Sequence, residues 1–318
     1  MTASPRVIIG LSAVVVAAGA KGPEVLLSGG QPAIGLPFGS FDPVGHRTFE
    51  LAVRDFVTAQ TGFALGYVEQ LYTFGDKGRE APVADMGLST DGDRIVSVGY
   101  IALAGSIIDG QRRAGIWADW YRFLPWEDQR TMSGTRAVQA IIAALSSWAT
   151  TPERQNRVAL AFGLNGLSWN ESHVLERYEL LYEAGLVQEA ARDRAKSNPS
   201  FIPMTTTDYA GEAMVSDHRR ILATAMGRLR AKIRYRPIVF DLAPQRFTLS
   251  MLQDLVEALC GVPLHKQNFR RTLERSGLVV STGAMETQTG GRPAMLFTKH
   301  DSIQHAGTTG LALPLAKR

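Results

Sequence analysis

The hydrophobic positions divide the chain into a part with strand-like runs, a part with helical spacing, and a short mixed segment at the end. After Arg6 the run Val7-Ile-Ile-Gly-Leu-Ser-Ala-Val-Val-Val16 is apolar and β-branched. Gly19-Ala-Lys-Gly22 and Glu24-Val-Leu-Leu-Ser28 then complete a β-hairpin pattern. The same start has the outline of a signal peptide, but the β-branched composition and the returning strand favour a first strand. A loop rich in Gly and Pro (residues 35–43) precedes an amphipathic helix from Thr48 to Thr61. Leu51, Ala52, Phe56, Val57 and Ala59 form its expected buried side, and Gly62 ends it. Two strand-like runs follow, Ala64 to Phe74 and Arg94 to Leu103, separated by a loop rich in Gly, Asp and Pro. A mixed sheet with an inserted helix is an α+β arrangement.

From about residue 130 to 205 the period becomes helical. Val138, Ile141, Ile142 and Leu145 recur on one face, and Thr151-Pro152-Glu153 is a helix start with a cap, a first-turn proline and an acid. Ser168-Trp-Asn-Glu171 offers a capping box ahead of Val174, Leu175, Tyr178, Leu181 and Tyr182. No catalytic constellation falls in this stretch, which reads as a helical insertion. Another helix is expected from Ser216 to Ile233. It and the residues just after it hold Arg219, Arg220, Arg228, Arg230, Lys232, Arg234 and Arg236 against Asp217 alone, a face that either contacts phosphate or is simply solvated.

The last third carries the sharpest pattern. Leu252, Leu255, Val256 and Leu259 share one helix face, with Thr248 or Ser250 available as cap and Gly261 as stop. After a turn holding Pro263, Phe269, Leu273 and Leu278 point one way, while Lys266, Gln267, Arg270, Arg271 and Arg275 point largely elsewhere. This is a helix-turn-helix with a basic second helix. Residues 278–281 and 295–298 flank a polar turn containing Gly290-Gly-Arg292-Pro293, which makes a wing. Between Val262 and His300 six cations (the four of the second helix, Arg292 and Lys299) face two acids, Glu274 and Glu286, a balance suited to a phosphate backbone. The first residues of the second helix, Gln267, Asn268 and Arg271, are the ones expected at base edges; Arg275 and Arg292 are expected at phosphate or the minor groove.

Composition narrows the picture. At 318 residues there is room for two domains, here divided as 1–235, with an insertion at about 130–205, and 236–318. A formal charge of +4 is compatible with an anionic partner without requiring one. The single cysteine, Cys260, excludes an internal disulfide framework and a cysteine-based zinc site, and suits a reducing compartment such as the cytoplasm. No other apolar run approaches membrane-spanning length.

Several phrases together resemble the Nudix-related transcriptional regulators of NAD metabolism, in particular their longer NadQ-type branch. They are Tyr67-Val-Glu-Gln-Leu-Tyr-Thr-Phe-Gly-Asp76, Arg79, Arg94-Ile-Val-Ser-Val-Gly-Tyr-Ile-Ala-Leu103, Asp217-His218, Arg228-Leu-Arg230, Tyr235-Arg-Pro, Phe247-Thr-Leu, Asn268-Phe-Arg-Arg271 and Gly290-Gly-Arg-Pro293. The resemblance covers residues 5–125 and 210–300 and implies a Nudix-like sheet followed by a winged helix. Hydrolysing members of the wider superfamily hold a divalent metal with paired glutamates, because oxygen ligands suit a hard cation set against pyrophosphate. Those positions fall on Ala59 and Gln60 here, with Asp55 and Phe56 at the preceding Arg-Glu pair and Arg47 at the earlier Glu. A one-residue shift restores Arg54-Asp55 but leaves Thr58 and Ala59 at the paired sites.

The resemblance therefore implies a catalytically inactive sensor of a pyrophosphate-containing nucleotide such as NAD, ADP-ribose or ATP, with no catalytic cofactor or metal. Arg79 and Arg94 would pair with phosphate, Tyr72 or Phe74 would stack on a base, and Asp76 would accept from a ribose. It further implies a homodimeric repressor of NAD synthesis or salvage genes bound to a palindromic double-stranded operator, with no membrane partner. The competing readings are a nucleotide pyrophosphohydrolase with a non-standard metal site built on Glu50 and Asp55, and a nucleotide-binding adaptor whose winged helix contacts protein.

Overall fold

The computed structural model describes residues 6–28, 34–76, 79, 94–105, 115–198, 208–286 and 293–300. Strand β1 (Val7–Gly19) turns directly into β2 (Gly22–Leu27), and the register from Val16↔Val25 to Gly19↔Gly22 is that of a tight hairpin. β4 (Tyr67–Phe74), β5 (Arg94–Ala104) and β6 (Ile116–Asp119) complete the sheet order β4-β5-β1-β2-β6. A short β3 (Phe38–Ser40) pairs with β1. β1 and β5 are parallel from Val7↔Arg94 to Ala17↔Ala104, and the other pairings are antiparallel. The unbroken apolar run of β1 follows from its place at the centre of the sheet, covered on both faces. Leu11, Ala13, Val15 and Ala17 pack with α1 (Phe49–Thr61), and Val14 and Val16 join the larger core on the opposite face. β3 and β6 are too short to be distinguished by pattern from the loops that hold them.

Helix α1 starts at Thr48, whose side chain accepts from the Leu51 amide, and ends at Gly62. Its buried row is Val53, Val57 and Thr61 with Ala52; Leu51 and Ala59, expected inside, are exposed. The buried positions repeat at i, i+4 and i+8, so the apolar stripe lies further round the helix than the residue types suggest.

The stretch expected to be a helical insertion consists of α2 (Met132–Trp148), α3 (Pro152–Phe162), α4 (Val174–Ala184) and α5 (Gln188–Ser197). Thr131 and Thr151 cap α2 and α3 through the Gly134 and Arg154 amides at 3.0 and 3.3 Å. The expected capping box at Ser168–Glu171 does not form. α4 begins after His173, and the buried Glu171 carboxylate is taken by Arg234. A tertiary ion pair has displaced the local cap.

Helix α6 (His218–Ile233) runs between the sheet and the insertion, and its cations correct both expectations for that face. Arg219 and Arg230 are fully buried, Lys232 is nearly so, and each is paired: with Glu189, Glu127 and Glu69. Solvation and phosphate contact are excluded for these three by burial. α7 (Leu249–Cys260), α8 (Lys266–Ser276) and the two-stranded sheet of β7 (Val279–Glu286) and β8 (Ala294–Lys299) form the C-terminal winged helix. Of the two possible caps for α7, Thr248 serves, accepting from Met251 N at 3.1 Å. Leu252, Val256, Leu259, Phe269, Leu273 and Leu278 are buried in a cluster continuous with the sheet and the insertion. Cys260 belongs to it, and burial pushes its thiol pKa up to about 12.

Candidate functional site

Helix α8 presents two different faces. Phe269 and Leu273 are buried, while Lys266, Gln267, Arg271 and Arg275 are exposed and Asn268 and Arg270 half-buried. Arg271 Nη2 donates to Asn268 Oδ1 at 3.1 Å, so the two polar residues present one linked surface. Arg270 Nη2 reaches across to Ser250 Oγ on α7 at 3.2 Å and ties the two helices together. No side chain caps the start of α8, where the positive end of a helix dipole favours a negative charge. The helix is also strongly basic, with Glu274 its one acid. Arg292 lies outside the described residues.

The five residues expected around a nucleotide lie in one part of the fold, at the end of β4 and the start of β5, but most already have partners. Arg79 is bidentate on Glu179 of α4, at 3.0 and 2.9 Å, and lies 3.5 Å over the Tyr182 ring. Arg94 Nη2 donates to Gly75 O at 2.6 Å. Asp76 pairs with Arg220 of α6, whose hydrogen bond holds its carboxyl below the usual range. Phe74 is buried, edge-to-face with Tyr72 at 5.4 Å, and beneath Arg220. Tyr72 alone of the five is a freely exposed aromatic. The expectation that Phe74 is available for stacking thus meets a side chain committed to the core. Of the two expected phosphate-binding arginines, Arg79 is engaged with a carboxylate of α4 and Arg94 with a backbone carbonyl.

The residues expected in place of a hydrolase's paired glutamates, Ala59 and Gln60, have other surroundings. Gln60 closes a two-way hydrogen bond with the Phe38 backbone (3.2 and 2.5 Å), and Ala59 faces solvent. Glu50 accepts from Arg54, which also reaches the Leu65 and Gly66 carbonyls at 2.6 and 2.9 Å. Among the described residues no group of three or more His, Cys, Asp or Glu could hold a metal ion. Likewise, among them no helix is long and apolar enough to cross a membrane.

Sequence reasoning missed the polar centre of the molecule. The fully buried Glu127 accepts from Arg177 Nε and Nη2 at 2.6 and 2.8 Å and from Arg230 Nη1 at 2.6 Å. Burial alone would raise its pKa; the positive charges of Arg177 and then Arg230 outweigh that and leave it below the ordinary glutamate value. Arg230 also donates to Leu259 O at 2.9 Å and Glu171 O at 3.0 Å, and its Nη2 to Tyr121 Oη at 3.2 Å. The partners come from positions 50 and 103 residues apart in the chain, so no local pattern could have announced them.

Residues 239–298 match the family model of the NrtR DNA-binding winged helix domain. A stretch of 81 residues is 40% identical to an Acinetobacter baylyi protein named ADPR responsive transcriptional repressor NtrR. That stretch is 26% of this chain and 32% of the relative, so the match spans about a third of the relative's length. The crystal structure of Shewanella oneidensis NrtR aligns over 95% of this chain and 97% of its own, with a TM-score of 0.50 and 19% identity. The same protein with a 27mer DNA aligns over 93% and 95%, with a TM-score of 0.49 and 20% identity. This chain thus shares the fold of the NrtR proteins and carries, at residues 239–298, an NrtR-type DNA-binding winged helix domain.

Proposed function

We propose that this protein is a transcriptional repressor of genes of NAD synthesis or salvage. It binds double-stranded DNA through α8 and the wing, and it senses a pyrophosphate-containing nucleotide through a Nudix-like domain that does not hydrolyse it. The observation that carries the reading is the winged-helix match, joined to a helix α8 whose exposed face is Lys266, Gln267, Arg271 and Arg275. The Acinetobacter relative's name supports ADP-ribose as first choice of effector, with NAD and ATP as alternatives of the same chemistry. Gln267, Asn268 and Arg271 read base edges; Lys266, Arg270, Arg275 and Arg292 meet phosphate or the minor groove. Arg79, Arg94, Tyr72 and Asp76 remain the effector residues of the proposal, with the nucleotide exchanging for the carboxylates and carbonyls that hold the arginines here; Phe74 supports Tyr72 from beneath.

Regulation then follows from linkage. A nucleotide that prefers one arrangement of the winged helices shifts the DNA-competent population by its differential affinity. A homodimer would read a palindromic operator with half-sites set by the spacing of its two α8 helices. The test is to select retained fragments from the source organism's genomic DNA and measure their affinity with and without ADP-ribose, NAD and ATP. Retention of a common sequence near NAD genes, changed by one nucleotide, is the expected result. Failure to retain any duplex preferentially at moderate salt overturns the proposal and leaves the adaptor reading in its place.

A further inference from the structure

The last turn of an α-helix leaves backbone carbonyls without intrahelical partners. In α7 three carbonyls at this end are satisfied by groups outside the winged helix. Tyr121 Oη donates to Ala258 O at 2.7 Å, Arg230 Nε to Leu259 O at 2.9 Å, and the Gln129 amide to Gly261 O at 2.7 Å. Gly261, at φ 71°, turns the chain towards α8, which begins at Lys266. A Cβ at that glycine would lie 2.1 Å from Glu127 O, 2.7 Å from Arg230 Nη2 and 3.0 Å from Tyr121 Oη, so the junction is closed on every side named. The end of α7, from which the chain turns into α8, is therefore held by groups outside the winged helix.

Arg230 belongs to α6, whose other end meets the proposed effector residues. Arg220 pairs with Asp76 and, at 2.5 Å, with Glu179, the same carboxylate that receives Arg79. Arg220 and Arg230 lie ten residues apart on one continuous helix, about 15 Å at 1.5 Å per residue. An anion arriving at Arg79 competes with Glu179 for the guanidinium fork, and Glu179 is shared with α6, so the exchange bears directly on that helix. We infer that α6 is the rigid element coupling the effector residues to the recognition helix, and that Arg230 and Tyr121 are the positioning residues through which it sets α8. This rests on the proposed function and supplies its route. Neither residue touches DNA or nucleotide in this scheme; each acts through the carbonyls of α7.

The discriminating variants are Tyr121→Phe, which keeps the buried ring and removes one hydroxyl, and Arg230→Lys, which keeps a cation for Glu127 and removes the fork. In the full-length protein, ADP-ribose affinity is measured by calorimetry without DNA. Affinity for a genomically selected duplex is measured by anisotropy with and without ADP-ribose. Both variants are expected to bind ADP-ribose within twofold of wild type. The ratio of the two DNA affinities should fall by about fivefold or to unity, the worth of one hydrogen bond of roughly 1 kcal/mol. A purely structural role would weaken both DNA affinities together and keep their ratio; that result, in either variant that folds, overturns the inference alone. Wild-type protein that retains no duplex, or whose DNA affinity ADP-ribose does not change, overturns the proposed ADP-ribose regulation and the inference with it.

Discussion

Replacing Glu127 with glutamine preserves the shape of the side chain and deletes its charge, leaving Arg177 and Arg230 fully buried without their counter-ion. Breaking a buried ion pair from one side costs about 3 to 5 kcal/mol, because the remaining charge keeps its desolvation penalty. Two cations are affected here, but Arg177 retains the Ala161 and Asn170 carbonyls and Arg230 those of Leu259 and Glu171. About 4 kcal/mol is therefore expected. At roughly 2 to 4 °C per kcal/mol for a protein of this size, the thermal midpoint should fall by about 8 to 16 °C. Breaking the exposed Arg157–Glu183 pair with Arg157→Met is the control, expected below about 1 kcal/mol. The folded-state pKa of Glu127 is depressed. Its contribution is thus complete above the unfolded value near about 4.3 and lost as pH falls below that. The difference between wild type and Glu127→Gln should accordingly be flat from pH 6 to 8 and shrink in acid. A midpoint shift under about 2 °C at pH 7, or one that grows on acidification, would refute the account of Glu127 as the carboxylate that holds the two arginines.

Three other outcomes are expected. Purified protein should release no phosphate-containing product from ADP-ribose or NAD with Mg²⁺ or Mn²⁺; turnover that vanishes in Glu50→Gln would restore the hydrolase reading. Gln267→Ala, Asn268→Ala and Arg271→Ala should narrow the gap between operator and scrambled duplex, whereas Arg275→Ala and Arg292→Ala should weaken both and lower the log-log salt slope by about one unit for each lost phosphate contact. His218 accepts from the Leu36 amide at 3.0 Å, and burial followed by the charge of Arg192 lowers its pKa to about 3. The unfolded chain binds the proton more readily, so the stability margin of wild type over His218→Asn should narrow by up to about 1.4 kcal/mol per pH unit below about 6.5. The neighbouring Asp217, raised to about 6 by burial, pulls the opposite way between about 4 and 6 in both proteins and cancels in the comparison.

Elements whose sequence signal is local were legible. Thr48 and Gly62 bound α1, Thr151 with Pro152 starts α3, and Gly261 ends α7, as read from residue type and spacing, while of the two caps offered for α7 Thr248 serves. The β1–β2 hairpin and the two faces of α8 were equally plain, because period and turn chemistry act within a few residues. Where tertiary contacts outweigh local preference the reading failed. Glu171 suits a capping box in isolation, yet a buried carboxylate beside Arg234 gains more from the ion pair than from three residues of helix start. β3 and β6, at three and four residues, exist because β1 and β2 offer edges to pair with, and nothing in their own composition required it.

The cations of α6 show why the site was only half legible. Counted along the chain, seven positive residues against one acid describe a solvated or phosphate-binding face. Counted in space, five of them meet carboxylates: Glu127, Glu189, Glu179 with Asp76, Glu69 and Glu171. Charge along a helix is thus informative only once its neighbours are known, and the converse applies to α8. Its cations have few partners among the described residues: Arg270 reaches a hydroxyl and Arg271 an amide oxygen. A helix whose arginines are matched by carboxylates is held by the protein, and one whose arginines are matched only by neutral groups keeps its charge for an outside anion. On that distinction the proposed coupling assigns the signal to α6 and its delivery to α8, with the carbonyls at the end of α7, which accept from Tyr121 and Arg230, as the place where the two meet.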